Sequence, residues 1–250
     1  TACEKWSKSS LKKVPETDLI FDNVADKDQQ AAEQSAKRIS LDCKATVQLG
    51  NLSRGGLTRG CRQADDHDMG IKDSYVPCGI VDEDTGELFI SFGSSYKTSD
   101  FIVDTLQAWW SKLTPQRQHQ IPLLQIKVDN GPENSGVRTQ FLKRMVDWAD
   151  QIRIPIQLLY YPPYHSKYNP IERCWGALAQ HWNGTMLVDL PTMLVWAMTM
   201  KWKGAHPSVN LNPVRYERGI SLSKEQMEAV EARLERHHTL PKWDILIQPS

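Results

Sequence analysis

The chain contains 250 residues, 40% of them hydrophobic and 24% charged, and its 30 lysines and arginines balance its 30 aspartates and glutamates. This composition is typical of a globular protein and excludes the disordered, collagen-like and low-complexity classes. No apolar run approaches the roughly 20 residues of a transmembrane helix, and the first residues lack the apolar segment of a signal peptide. The five cysteines include no C-x-x-C pair, so the sequence predicts a soluble protein of a reducing compartment without a disulfide framework or structural zinc.

Charge is segregated along the chain although the total is zero. Residues 37–62 carry six basic side chains and one acidic one, whereas residues 65–104 carry ten acidic side chains and two basic ones. A local basic surface can bind phosphates whatever the net charge of the protein. Solvated loops would give the same distribution, so charge alone does not identify a nucleic-acid partner.

The first half of the chain predicts mainly strands. Residues 1–37 are polar, and only residues 29–38 indicate a short helix. Over residues 39–49 apolar side chains occupy the odd positions and polar ones the even positions, which predicts a strand with one buried face. A Gly-rich basic loop follows at residues 53–60, and residues 75–93 predict a β-hairpin.

The second half predicts alternating helices and strands. The predicted elements are a helix at residues 98–113, a strand at 122–129, a helix at 133–150, a strand at 154–161, helices at 170–182, 190–202 and 221–238, and a strand-like tail at 243–249. Antiparallel strands followed by alternating units predict an α/β fold, a mixed five-stranded sheet with helices on both faces. We expect an N-terminal arm at residues 1–37, a core at residues 38–205 and a C-terminal helical extension at residues 206–250.

Two aspartates stand where strands disfavour them. Asp42 lies on the polar side of the first strand, and Asp129 lies on the polar side at the end of a later one. Two such carboxylates on neighbouring strands would repel each other unless a cation lay between them, and Mg²⁺ is bound by one or two carboxylates with water and phosphate. A solvated edge position would also explain Asp42, and a turn at Asp-Asn-Gly would explain Asp129.

Glu172 lies in the first turn of a predicted helix. If Asn169 is the N-cap and Pro170 the first helical residue, Glu172 occupies the third position, from which a glutamate can reach back to the cap. The same geometry projects the carboxylate just beyond a strand, where it could complete a metal site. The spacing fits both functions.

Three segments together resemble the catalytic signatures of DDE transposases: SLD at 40–42, VDNGPENS at 128–135 and PPYHSKYNPIERCWG at 162–176. The similarity is closest to the bacterial insertion-sequence group related to the mariner branch, within the ribonuclease H-like integrase superfamily. Residues 11–24, the SRGG loop and the closing WDILIQP also resemble that group, so the resemblance covers nearly the whole chain. The 42 residues between Asp129 and Glu172, and a glutamate as the third acid, fit this group better than mariner elements proper.

The resemblance implies a ribonuclease H-like core and a role for each acid. Asp42 is expected to bridge two Mg²⁺ ions, while Asp129 and Glu172 each hold one, with Mn²⁺ as a substitute. The implied chemistry is hydrolysis at a transposon end followed by attack of the freed 3′-hydroxyl on target DNA. The implied partners are both DNAs and a second subunit paired on DNA, in the bacterial cytoplasm and associated with the nucleoid.

Secondary DNA contacts are expected around these acids. The candidates are Arg54, Arg59 and Arg62 in the Gly-rich loop, Asn130, His165, Lys167 and Arg173. A structural hydrogen bond is an alternative for His165, and a turn function is an alternative for Asn130. The acidic run at residues 65–68 is interpreted as a solvated loop, because adjacent residues rarely converge on one ion.

Related transposases carry an N-terminal helix-turn-helix, whereas 37 polar residues precede the first catalytic strand here. We therefore expect either a fragment or a chain without specific end recognition. A domesticated, non-catalytic DNA-binding or assembly module and a nuclease that only cleaves are the alternative functions. The presence of all three acids favours catalysis over the non-catalytic module.

Overall fold

The computed structural model describes residues 14–52 and 73–250, and these residues form seven α-helices and nine β-strands. The helices are α1 (Thr17–Glu33), α2 (Ser99–Trp110), α3 (Pro115–His119), α4 (Thr139–Ile152), α5 (Pro170–His181), α6 (Leu190–Thr199) and α7 (Lys224–Glu231). The strands are β1 (Lys37–Cys43), β2 (Val47–Gln48), β3 (Ser74–Asp82), β4 (Leu88–Gly93), β5 (Leu124–Val128), β6 (Ile156–Tyr160), β7 (Ser208–Asn212), β8 (Leu234–Arg236) and β9 (Asp244–Ile247).

The strands of the described residues form one mixed sheet in the order β7-β4-β3-β1-β5-β6-β9-β8, with β2 paired to β3. Strand β1 is parallel to β5, and β5 is parallel to β6, whereas β3 is antiparallel to both β1 and β4. The predicted mixed α/β fold is confirmed. The sheet has nine strands rather than five, because β7, β8 and β9 come from the segment predicted as a helical extension and β2 is split from β1.

Helices cover both faces of the sheet. Apolar side chains of α2 and α4, such as Phe101 and Phe141, pack with Ile39 and Leu41 of β1 on one face. Side chains of α5 and α6 pack with Val81 and other residues of β3 and β4 on the opposite face. The central strands are consequently buried on both sides, as parallel strands with crossover helices usually are.

The polar side of the central strands is covered by α1 rather than by water. Lys127 of β5 is buried, and its Nζ lies 2.5 Å from carboxylate oxygens of both Asp28 in α1 and Glu83. Ser40 of β1 also hydrogen-bonds Glu83. The prediction of a helix only at residues 29–38 is wrong, because α1 runs from Thr17 to Glu33. A strand whose polar side chains pair with polar side chains of a helix shows the same alternation of apolar and polar residues in its sequence as a strand with one face in water.

Two helix boundaries differ from the predicted ones for local reasons. Helix α4 begins at Thr139 rather than at residue 133, after a stretch containing Pro132 and Gly136. Helix α7 starts with the predicted capping box of Ser223 and Gln226 but ends at Glu231, because the following residues form β8 and pair with β9.

No helix among residues 14–52 and 73–250 combines the length and the apolar character needed to cross a bilayer.

A charged pair fastens the last strands to α4. The Arg233 guanidinium donates to both carboxylate oxygens of Asp150, at 3.1 and 2.6 Å, and also to the carbonyl of Gln248. The backbone N–H of Ser250 donates to Asp150 Oδ1 at 2.7 Å. The Arg233 hydrogen bonds lower the pKa of Asp150 to about 2. Because this pair is partly exposed, solvent screening reduces its contribution to stability.

Asp150→Asn is expected to reduce the free energy of unfolding at pH 7 by about 0.5–1 kcal/mol. Since the pKa of Asp150 lies below its ordinary value near 3.9, the stabilisation is fully present above about pH 4 and is lost as the pH falls towards about 2. Urea denaturation of both proteins at pH 7 and at about pH 3 measures the difference.

Asp147→Asn is the matched control on the same helix, because Asp147 forms an exposed pair with Lys143 that is worth about 0.3–0.5 kcal/mol. Equal stability of Asp150→Asn and wild type at pH 7 would contradict the anchoring function of Asp150.

Candidate active site

Asp42 and Asp129 lie side by side at one edge of the sheet. Leu41 of β1 is paired with Val128 of the parallel strand β5, so the residues that follow them reach the same carboxyl-terminal edge. Ser40 and Lys127 are also paired, and side chains alternate along a strand, so the two aspartates project from the same face. Asp129 follows the end of β5 as predicted, whereas Asp42 lies next to the last residue of β1 rather than in the middle of a strand over residues 39–49, because β1 ends at Cys43.

Two buried side chains dock α5, which carries Glu172, against β1. Asn169 Nδ2 donates to the carbonyl of Leu41 at 3.1 Å, and Trp175 Nε1 donates to Asp42 Oδ2 at 3.1 Å. Asn169 is the N-cap residue of α5, but its side chain makes no capping hydrogen bond. The Asn169 amide instead holds α5 against β1. The capping box, which was the alternative explanation for the sequence around Glu172, is therefore not formed by the Asn169 side chain.

The indole of Trp175 can reach Asp42 because the residue beside Asp42 on the neighbouring strand β3 is Gly79. Gly79 of β3 is the registered partner of Asp42. A β-carbon added at Gly79 would lie 2.6 Å from Trp175 Cη2 and 2.9 Å from Ile171 Cδ1. Because Gly79 has no side chain, the Trp175 indole of α5 has room to reach the Asp42 carboxylate.

Asp42 is 7% exposed and carries a strongly perturbed carboxyl. Burial raises its pKa to about 7, and the negative charges of Asp129 and Glu172 add to this effect. Asp129 and Glu172 therefore both lie within electrostatic range of Asp42. Lys97 lowers the pKa of Asp42 and is the nearby opposing charge.

Lys97 follows β4 and sits among acidic groups. Burial lowers its pKa, but Cys43, Asp129 and Glu133 outweigh burial, so the pKa of Lys97 is raised overall. Its Nζ lies 3.7 Å from Glu133 Oε2. The site therefore holds a permanent positive charge beside its carboxylates.

Asn134 holds the second aspartate in place. Its Nδ2 donates to Asp129 Oδ1 at 2.9 Å, and the Asn134 side chain is buried. A β-carbon at Gly131 would lie 3.0 Å from Asn134 Oδ1 and 3.3 Å from Asp129 Oδ2, so glycine permits this tight turn. Within the described residues, Asn134 Oδ1 and Asn169 Oδ1 are buried without hydrogen-bond partners.

The donor set suits a hard divalent cation, since carboxylate oxygens are the ligands that Mg²⁺ prefers. Among the residues described, no three His, Cys, Asp or Glu side chains are grouped closely enough to form a metal cluster as they stand. One oxygen of Asp42 binds Trp175 and one oxygen of Asp129 binds Asn134. Burial is the main cause of the raised pKa of Asp42, and the repulsion from Asp129 and Glu172 that adds to it is what a cation among the three acids would relieve.

The predicted DNA contacts are distributed unevenly. The side chains of Asn130, Lys167 and Arg173 are exposed, and each is close to Asp129 or Glu172 in the sequence. His165, in contrast, is only 4% exposed. His165 Nδ1 contacts the Pro163 carbonyl at 2.8 Å, and its ring packs on Phe21 and Tyr168, which supports the structural alternative. Arg54, Arg59, Arg62 and the acidic run at residues 65–68 lie outside the described residues.

Four side chains of the site were not predicted: Lys97, Asn134, Asn169 as a docking residue, and Trp175. Trp175 lies three residues after Glu172 and therefore on the same helix face, which is a usable signal. Lys97 has no such signal, because it enters from a loop more than 30 residues before Asp129 in the sequence.

Gly79→Ala is expected to destabilise the protein by about 1–3 kcal/mol, because the new methyl group would displace the Trp175 indole and the helix behind it. Urea denaturation monitored by tryptophan fluorescence measures the loss.

Gly176→Ala in α5, the helix that carries Trp175, is the matched control. A β-carbon at Gly176 meets no atom within 4 Å, and alanine in a helix interior is worth about 0.5–1 kcal/mol relative to glycine. Equal destabilisation by both substitutions would contradict the close contact at Gly79.

A family model described as the Rhodopirellula transposase DDE domain matches residues 4–249. No curated protein matches the chain. The solved structures similar to it include "Crystal structure of a pre-cleavage Mos1 transpososome", with a TM-score of 0.51, 10% identity and coverage of 78% of this chain and 58% of that chain. "Crystal structure of the Mos1 Strand Transfer Complex" is similar with a TM-score of 0.53 and 10% identity, over 78% of this chain and 57% of that chain.

"Crystal structure of the Mos1 mariner paired end complex with Mn" has a TM-score of 0.51 and 11% identity, over 78% of this chain and 58% of that chain. This chain thus spans 57–58% of the length of the Mos1 chains. At these identities the likeness shows the fold, and the predicted ribonuclease H-like fold is confirmed. Since the family model extends over nearly all of its residues, the chain belongs to the Rhodopirellula transposase DDE domain family, a family of DDE transposases.

Proposed function

We propose that the chain is the catalytic domain of a transposase that hydrolyses a phosphodiester bond at transposon ends and joins the freed 3′-hydroxyl to target DNA. The observation that carries this proposal is the perturbed carboxyl of Asp42, whose pKa is raised by burial and by Asp129 and Glu172. These residues are the three acids of the DDE pattern, in its order along the chain. Asp42 and Asp129 stand together at the carboxyl ends of β1 and β5, and Trp175 ties the helix that carries Glu172 to Asp42.

Asp42, Asp129 and Glu172 would hold two Mg²⁺ ions, with Mn²⁺ as a substitute. When bound, such a pair of cations activates the attacking oxygen and stabilises the leaving oxygen in a displacement at phosphorus. Trp175 binds one carboxylate oxygen of Asp42, and Asn134 binds one carboxylate oxygen of Asp129. These hydrogen bonds fix the direction of the other oxygen of each carboxylate. Lys97 contributes a positive charge that would attract a phosphodiester to the acids.

The energetic cost of the site supports catalysis over a non-catalytic module. Burying a carboxyl beside two like charges reduces stability, and DNA binding alone does not require such an arrangement. No observation favours the non-catalytic module, and a nuclease that only cleaves would use the same acids. The joining step separates that nuclease from a transposase.

We further propose DNA as the partner, with subunits paired on it, in the bacterial cytoplasm and associated with the nucleoid. Arg54, Arg59, Arg62, Asn130, Lys167 and Arg173 are proposed DNA contacts, and His165 would act indirectly by holding its loop. The catalytic core is proposed at residues 38–205. The arm at residues 1–37 contributes α1, and residues 206–250 extend the sheet.

Asp129→Asn is expected to reduce Mg²⁺- or Mn²⁺-dependent nicking of duplex DNA by more than about 100-fold, because removal of a ligand charge weakens metal binding. DNA affinity in EDTA is expected to stay within about twofold of wild type, since that affinity depends on basic side chains. Asp147→Asn, which changes an exposed carboxylate on α4, is the matched control for nicking.

Nicking by Asp129→Asn at the wild-type rate would disprove the catalytic assignment. A pre-cleaved DNA end incubated with plasmid tests the joining step. Wild-type protein that nicks but never joins would be a cleavage-only nuclease, and protein that binds DNA without nicking or joining would be the non-catalytic module.

A further inference from the structure

A groove of about 770 Å³ has Lys97 in its lining. Its walls are the loop at residues 94–98 with the start of α2, the segment at residues 132–140, and the segment at residues 215–220. Lys97 and Glu133 line the groove, and Lys97 also interacts with Asp42 and Asp129. Lys97 therefore belongs both to the wall of the groove and to the electrostatic surroundings of the candidate active site.

Three arginines line the groove without a carboxylate partner among the described residues: Arg138, Arg215 and Arg218. Arg138 is half-buried, and its Nε is buried without a hydrogen-bond partner in the part of the chain that the structure describes. Arg215 and Arg218 are exposed, and the Arg218 guanidinium lies 3.7 Å from the centroid of the Tyr96 ring.

Two of the three acids of the groove are already engaged, so the arginines remain available. Asp100 accepts hydrogen bonds from Arg144 and Gln140, and Glu133 lies 3.7 Å from Lys97. Glu217, which is exposed, is the third acid. The lining thus carries four basic and three acidic side chains, Lys97 included, and a surface with a surplus of positive charge attracts anions.

The segment that carries Arg215 and Arg218 is held rigidly. Tyr216 between them is buried, and its hydroxyl donates to Asp104 Oδ2 at 2.7 Å and accepts from Asn212 Nδ2 at 2.7 Å. The Tyr216 N–H donates to Ser95 Oγ at 3.1 Å, which ties this segment to the opposite wall of the groove. Anchoring of the backbone reduces the ordering cost when the two guanidinium groups bind a ligand.

We propose that this groove binds the sugar–phosphate backbone of DNA next to the reacting bond, an inference that rests on the proposed function. Guanidinium groups bind phosphates through paired hydrogen bonds. Three unpaired arginines and Lys97, spread over three chain segments, match successive phosphates of a strand better than a single phosphate ion. The strand would run from Lys97, beside the acids, towards Arg215 and Arg218.

The double substitution Arg215→Ala with Arg218→Ala tests this assignment without requiring catalysis. Fluorescence anisotropy of a short labelled duplex of arbitrary sequence, in EDTA and over a range of salt concentrations, gives affinity and its salt dependence. Affinity is expected to fall about tenfold, and the slope of log affinity against log salt to become shallower by about 1.8, or 0.9 per lost phosphate contact. The double substitution Arg215→Lys with Arg218→Lys keeps both charges and is expected to restore the slope, which also controls for misfolding of the alanine variant.

The matched control is the double substitution Lys112→Ala with Arg117→Ala. It also removes two positive charges, but these lie after the C-terminal end of α2, whereas the groove is lined by the start of α2. Its salt slope is expected to equal that of wild type. If Arg215→Ala with Arg218→Ala keeps the wild-type affinity and slope while Asp129→Asn still abolishes nicking, the groove assignment is overturned and the proposed function stands. If the wild-type chain binds no duplex, both are overturned.

Discussion

The burial of Asp42 and its repulsion by Asp129 and Glu172 are together the constraint around which this molecule is organised. Water would relieve that repulsion at an exposed site, but Asp42 lies in a strand that is covered on both faces, and its pKa rises to about 7. Folding brings the three acids together at a cost, because buried like charges reduce stability. Lys97 offsets part of this cost, and a cation bound among the acids would offset more of it.

The surrounding residues act by limiting how far the acids can move apart. Trp175 binds Asp42 from α5, Asn169 binds the backbone of the same strand, and Asn134 binds Asp129 from the turn beyond β5. These hydrogen bonds belong to buried side chains, whose loss would leave polar groups unpaired. The helix with Glu172 and the strands with the two aspartates are therefore held as one rigid unit. The groove beside Lys97 opens from this unit, which places the proposed phosphate contacts at a fixed position relative to the acids.

Local sequence patterns were sufficient for the central elements, whereas Asp42, Asp129 and Glu172 were singled out by the resemblance of three segments to DDE transposases. Strand β1, the hairpin of β3 and β4, and helix α5 follow from period-two alternation, a turn motif and an Asn-Pro start. The patterns failed where polar residues pair with each other instead of with water. Helix α1 was missed because Asp28 and its neighbours face buried polar groups of the sheet, so the helix lacks a wide apolar stripe. Lys97 and Asn134 could not be predicted as site residues, since their function depends on contacts between segments that are distant in sequence.

The burial of Lys127 has a consequence for dividing this chain into independent parts. Its ammonium group has carboxylate partners in α1 and directly after β3, and its side chain is 3% exposed. Truncation before β1 would remove Asp28, leave Glu83 as the carboxylate partner of Lys127 and uncover part of the central sheet; loss of a partner from a buried ion pair costs at most about 3–5 kcal/mol. That amount is a large fraction of the stability of an ordinary domain. We therefore expect the smallest autonomously folding unit to include α1, even though Asp42, Asp129 and Glu172 all lie after it.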